Sequence, residues 1–294
     1  MIKKNTPHAW FLATRPKTLP AAATPVIVAW ALAYHEKSFQ WIPALICLLF
    51  ALIAQIISNF ANDYFDYKKG IDNEERLGPK RAVAEGWIAP KIMLRVTLTL
   101  LVLDLVLGLL LLHYGGWKLI FVGLFVAIFA FAYSGGPYPL AHHGWGDICV
   151  FVFFGIVPVG FTYYVQALQW TLPVTICGIS LGLVIINILV ANNYRDRYSD
   201  AKSGKKTSIV LFGEKFGRWF YLLNGIIAVI GCQYFWLEKA IGAALLPLVY
   251  LVFHIRTWRE MVRINHGKAL IQILGKTARN VLIFGTTLSI GLLL

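Results

Sequence analysis

Apolar runs of bilayer length recur along this chain with few charges inside them, and no other feature restricts the fold as strongly. Nine such runs occur, at roughly residues 18–35, 41–60, 93–113, 117–133, 147–167, 172–191, 218–236, 240–255 and 277–294. In lipid each backbone polar group must find its partner inside the protein, and a helix satisfies them within one segment. The expectation is an all-α polytopic bundle of nine transmembrane helices, a single domain over 1–294. Composition agrees, since 58% hydrophobic residues, 14% charged residues and a mean hydropathy of +0.67 leave too little polar surface to cover a soluble core of this length. The lipid bilayer is thus the first partner implied.

A net charge of +13 would suit nucleic acid if the basic residues formed a soluble patch. They do not. Counted by alternate loops, 24 of the 27 Lys and Arg fall on one side of the nine runs, leaving only Lys37, Lys118 and Lys239 for the other. By the positive-inside rule the rich side is cytoplasmic, which predicts a cytoplasmic (inner) membrane protein with its N-terminus inside and its C-terminus outside. The basic excess then reports topology and anionic headgroups, and no nucleic-acid partner is needed. Arg15-Pro16-Lys17 stands directly before the first run, and Pro20 and Pro25 interrupt it, so a retained, kinked helix is expected there rather than a cleaved signal. Cys47, Cys149, Cys177 and Cys232 each lie in an apolar run without paired spacing and read as core residues.

Function is expected in the two long cytoplasmic loops, after runs two and six, which hold nine of the fourteen acidic residues and are expected to form a cytoplasmic cap. If the helix continues past run two, Asn59, Asn62, Asp63 and Asp66 share one helical face. After run six, Asn192, Asp196 and Asp200 recur at i, i+4 and i+8. Oxygen-only stripes of this kind suit a hard cation, and Mg²⁺ in particular is held by one or two carboxylates together with substrate phosphates and water. Arg76, Lys80 and Arg81 follow the first stripe and Lys202, Lys205 and Lys206 follow the second, placing cations where phosphate oxygens would lie. For one such run, a solvated charged helix end explains the pattern as well. Two runs, four spans apart at the same membrane face, favour a paired site.

At these residues the chain resembles the UbiA-type intramembrane prenyltransferase superfamily, most closely its 1,4-dihydroxy-2-naphthoate polyprenyltransferase branch. The resemblance lies in RPKTLPAAATPV at 15–26, NFANDYFDYKKGIDNEERLGPKRAV at 59–83, YSGGPYPL with GWGD at 133–147, and ANNYRDRYSDAKSGKKT at 191–207. It implies Mg²⁺-dependent transfer of a polyprenyl group from polyprenyl diphosphate to an aromatic acceptor, with decarboxylation, giving demethylmenaquinol and diphosphate. It also implies Asn59, Asp63 and Asp66 as one Mg²⁺-diphosphate face, Asp196 and Asp200 with Asn192 beside them as the other, and Arg81 with one or more of Lys202, Lys205 and Lys206 on the diphosphate. The superfamily often carries an aspartate where this chain has Gly70, so the next acid, Asp72, departs from the pattern.

The remaining candidates have competing explanations. Tyr133 offers an aromatic face to an allylic cation or simply packs at the interface. Asp147 assists the acceptor or caps a helix, and Arg15 anchors the acceptor's carboxylate or orients the first helix. Asp104 falls in mid-span, where an ionisable group is costly, and His142 and His143 sit in a loop without basic residues. Three classes of function fit a chain of this type: the transferase, on the naphthoate or another acceptor such as 4-hydroxybenzoate; a transporter of an anionic substrate; and a lipid phosphotransferase. Both stripes at one membrane face speak against the transporter, whose site belongs near the midplane, and no DGxxAR-type signature is present for the phosphotransferase. Prenyl chain length and oligomeric state are not encoded in these motifs.

Overall fold

The computed structural model describes residues 4–68, 70, 80–134 and 138–294; Lys3, Lys69, Asp72 and Arg76 lie outside the described residues. A short helix α1 (Pro7–Ala13) opens the chain, with Pro7 in its first turn and the Thr6 hydroxyl accepting from the Ala9 amide at 3.3 Å. The helices that follow are α2 (Leu19–His35), α3 (Trp41–Lys68), α4 (Pro90–Gly115), α5 (Leu119–Ser134), α6 (Gly146–Ala167), α7 (Leu172–Lys202), α8 (Ser208–Trp236), α9 (Ile241–Ile264) and α10 (Ile271–Leu293). Among the described residues there is no strand.

Each of the nine apolar runs falls within, or almost entirely within, one of α2 to α10. By length and composition six helices, α3, α4, α6, α7, α8 and α9, are fit to cross a membrane, and α2 and α5 are apolar but shorter. The protein is therefore a multi-pass membrane protein. The expected cap needs correction at the second loop. Asn192 to Lys202 continue α7 as a helix, and only five residues separate it from α8. The stop comes at Ser203-Gly204, where Gly204 adopts φ +76°, the left-handed conformation that ends helices. The acid-rich stretch after run two likewise extends α3 to Lys68.

α7 is the axis of the bundle: 67% of its most apolar stretch is buried, against 11% for α4, so α4 turns mostly to lipid. Val184, Ile185 and Leu181 of α7 pack with Val28 and Leu32 of α2, Tyr163 of α6, Ala228 of α8, Tyr250 of α9 and Phe284 of α10. The four cysteines are buried and free, as expected of core residues. α6 contains one wide turn, Val152–Ile156, where Gly155 meets α7 so closely that a Cβ there would stand 2.7 Å from the Gly178 carbonyl oxygen and 2.8 Å from the Gly182 nitrogen. This contact fixes α6, and with it Asp147 in its first turn, against α7.

At the end of α3, Phe60 packs with Ala9, Ala13, Ala82, Val83, Ile88 and Met93, seating α1 and the turn before α4 on one helix end. At the end of α7, the Lys206 amide donates to the His142 carbonyl at 2.9 Å, so the α5–α6 and α7–α8 connections lie side by side.

Candidate active site

The end of α7 forms one wall of a cavity of about 160 Å³. Asn192, Asn193, Asp196 and Asp200 line it from α7, Asp147 from α6, Tyr133 from α5, and Lys205, Thr207 and Ser208 from the turn into α8. Pockets enclosing a whole drug-sized ligand run to about 300 Å³ and more, so this volume suits a charged headgroup and not a prenyl tail as well. Six of the expected site residues thus meet in one place: Tyr133, Asp147, Asn192, Asp196, Asp200 and Lys205. Lys205 lies 3.4 Å from Asp200 Oδ1, while Lys202 and Lys206 are exposed on the adjoining surface.

Asp147 is 7% exposed, and its Oδ1 makes no hydrogen bond. Its side chain does not cap α6, so the capping explanation for an acid at this position fails and a buried oxygen is left at the cavity, with the Ser208 hydroxyl beside the carboxyl. Such a group is costly unless a ligand or water completes it. The residues fit a hard cation by their chemistry. Oxygen atoms of two carboxylates and an amide share one helical face in a cavity that also holds a lysine, which is the donor set Mg²⁺ takes when phosphate supplies the rest. No group of three or more His, Cys, Asp or Glu forms a closed cage among the described residues, so phosphate oxygens would have to complete the coordination.

The first stripe gathers at the end of α3, at the same end of the bundle, but is not part of the lining of this cavity. Asp63, 1% exposed, accepts from the amides of Ala82 at 2.9 Å and Val83 at 3.3 Å. Asn59 donates to the Thr14 carbonyl and the Thr18 hydroxyl at 2.9 and 3.0 Å, tying α3 to the start of α2. Asp66 pairs with Arg81 at 2.5 Å, and Arg81 also donates to the Asn62 carbonyl at 2.6 Å. Arg15 stands in a left-handed conformation, φ +51°, at the α1–α2 junction beside this cluster.

Sequence reasoning did not find Thr207 and Ser208, although a Thr-Ser pair opening an apolar run is a helix-start signal; Thr207 caps α8 through the Val210 amide at 3.3 Å. Nor did it find the arginines that brace α7. Arg197, 5% exposed, donates to the Tyr194 carbonyl at 2.5 Å, to Glu214 at 2.9 Å and to Asn265 at 3.0 Å, joining α7, α8 and the α9–α10 turn. His143 stacks on Tyr138 and its Nδ1 lies 2.8 Å from the Pro139 carbonyl, a turn-forming role, whereas His142 lines the cavity. Asp104 is buried on α4, far along the chain from either stripe, and its Oδ1 lacks a hydrogen bond.

Known proteins resemble this chain in sequence and in fold. The UbiA prenyltransferase family matches residues 22–273. A 1,4-dihydroxy-2-naphthoate octaprenyltransferase of Escherichia coli is 34% identical, covering 98% of this chain and 96% of the relative. The protein of that name from Haemophilus influenzae is 36% identical over 75% of this chain and 74% of its own length. Among solved structures, a UbiA homolog from Archaeoglobus fulgidus bound to GPP and Mg²⁺ superposes with a TM-score of 0.66 at 14% identity, covering 96% of this chain and 99% of that one.

Proposed function

The chain belongs to the UbiA prenyltransferase family, and from that premise we propose that it transfers a polyprenyl group from polyprenyl diphosphate to 1,4-dihydroxy-2-naphthoate, releasing diphosphate and CO₂. The observation that carries this reading is the cavity at the end of α7, where Asn192, Asp196 and Asp200 face Lys205 and Asp147. Two carboxylates and an amide on one side, and an ammonium on the other, suit a metal-bound diphosphate better than any neutral ligand.

Asn192, Asp196 and Asp200 would hold Mg²⁺ together with the diphosphate oxygens; Asn59, Asp63 and Asp66 form the second such face in the family pattern, with Asn62 among them. Mg²⁺ bound there would supply positive charge to the oxygen that leaves. Lys205, with Lys202 and Lys206 on the adjoining surface, holds the diphosphate from the α7 side and Arg81 from the α3 side, and these cations stabilise the charge it gains. The allylic C–O bond breaks with its electron pair going to that oxygen. Tyr133 presents an aromatic face to the allylic cation, and the packed ends of α6 and α7 keep water from it. The ring carbon bearing the carboxylate then bonds to the cation, leaving a β-keto acid. This loses CO₂, whose bonding pair restores the aromatic ring. Asp147 and Arg15 belong to the acceptor side, binding a ring hydroxyl and the carboxylate, so binding energy serves positioning.

In this reading all nine apolar helices span the bilayer, the diphosphate enters from the cytoplasmic face, and the prenyl tail runs between helices into lipid. The test is turnover by purified protein in lipid nanodiscs, with one polyprenyl diphosphate and acceptor labelled with ¹³C at the carboxyl. Stoichiometric labelled CO₂ with prenylated naphthoquinol, abolished by EDTA and restored by Mg²⁺, is expected. A prenylated product that keeps its label, or selective turnover of 4-hydroxybenzoate, would move the acceptor assignment elsewhere in the family.

A further inference from the structure

Both carboxylate oxygens of Asp196 are already engaged by an arginine on the same helix. Arg195 Nε donates to Oδ1 at 2.7 Å and Nη2 donates to Oδ2 at 2.5 Å, a two-pronged fork, while Nη2 also donates to Asn192 Oδ1 at 2.9 Å. Adjacent positions on a helix do not face one another, so Arg195 reaches these partners only by folding along the α7 surface. Its side chain is 4% exposed, and its Nη1 is buried without a hydrogen bond. The first stripe repeats the arrangement, with the Arg81 guanidinium on Asp66. In each stripe, therefore, a guanidinium sits on a carboxylate expected to meet a metal.

Two cations cannot share one carboxylate without strong repulsion unless further negative charge enters between them. A diphosphate brings that charge and offers the paired oxygen acceptors that a planar guanidinium fork takes. Building on the assignment of Asp196 and Asn192 as metal-facing oxygens, we propose that Arg195 makes the α7 site selective for metal together with diphosphate over free metal: it competes with a lone divalent cation for Asp196, and transfers its fork to phosphate oxygens when diphosphate enters. Its unpartnered Nη1 gains an acceptor in the same movement. Because coupling is reciprocal, bound metal raises the affinity for diphosphate by the same factor as diphosphate raises the affinity for metal.

The test uses the full chain in nanodiscs, with Mn²⁺ as the probe, titrated by its electron paramagnetic resonance signal with and without inorganic pyrophosphate. Arg195→Gln is expected to bind Mn²⁺ alone tighter than the wild type, on the order of fivefold, and to lose most of the enhancement that pyrophosphate gives. Arg195→Lys, which keeps the charge but not the fork, is expected between the two and serves if the glutamine variant does not fold. Asp196→Asn is the control for the site itself and is expected to weaken Mn²⁺ binding. If Asp196→Asn weakens binding while neither Arg195 variant tightens it, the metal assignment stands and the role given to Arg195 is wrong. If Asp196→Asn changes nothing, the metal assignment fails, and the role of Arg195 fails with it.

Discussion

Removing the Asp63 carboxylate leaves the amides of Ala82 and Val83 without their acceptor in a place closed to water. Hydrogen bonds to a charged group contribute about 1.5–3 kcal/mol each, so Asp63→Ala is expected to lose activity and to lower the unfolding temperature as well. Asp196 is different. It reaches the cavity, and among the described residues its carboxylate is held by Arg195, so Asp196→Asn, which keeps an oxygen acceptor for that buried guanidinium, is expected to cut kcat by more than about tenfold, about 1.4 kcal/mol of transition-state stabilisation, with the fold intact. Thermal unfolding measured beside turnover separates the two; equal stability in both variants would remove the structural role given to Asp63. The acids themselves were legible from spacing, because a helix face repeats at three and four residues. What spacing left hidden was how each acid is spent. Whether an oxygen meets an amide, an arginine or a cavity depends on chain segments brought in from elsewhere, as the turn at 80–88 is brought to Asp63 by Phe60.

Among the elements, α6 depends most on its neighbours for its shape. Its wide turn exists because Gly155 lies against Gly178 and Gly182 of α7, and a Cβ at that crossing meets backbone that cannot yield. Gly155→Ala is expected to destabilise by about 1–3 kcal/mol or more and to impair turnover, since it pushes the start of α6, with Asp147, away from the cavity. Gly123→Ala on α5 has open space around it and is expected to be neutral; unfolding curves and kinetics of the pair check the argument. A glycine in an apolar run does not announce a crossing, because the partner glycines lie more than twenty residues away. The helical extensions of α3 and α7 were readable, since no breaker stands between run two and Gly70 or between run six and Gly204, whereas the cap expected at the second loop resolved into added helical turns of α7.

In the nine-span reading proposed above, helices alternate in direction and the basic residues collect at the end that carries both stripes. A reporter fused after Leu294 is therefore expected to be active outside the cytoplasm, and a cytoplasmic signal would overturn the topology. The weakest member of the assembly is α5. Among its described side chains none is buried, and at 16 residues it is about 24 Å long, short of the roughly 30 Å of a typical hydrocarbon core. Yet its last turn carries Tyr133, and the connection that follows supplies the His142 side of the cavity. A helix too short for its surroundings relieves the mismatch by thinning the lipid around it or by shifting along the membrane normal. The chemistry at that end of the bundle is thereby mechanically joined to acyl-chain length. Turnover in nanodiscs of increasing acyl length is expected to fall through a rising KM for the diphosphate donor, making this enzyme a gauge of membrane thickness.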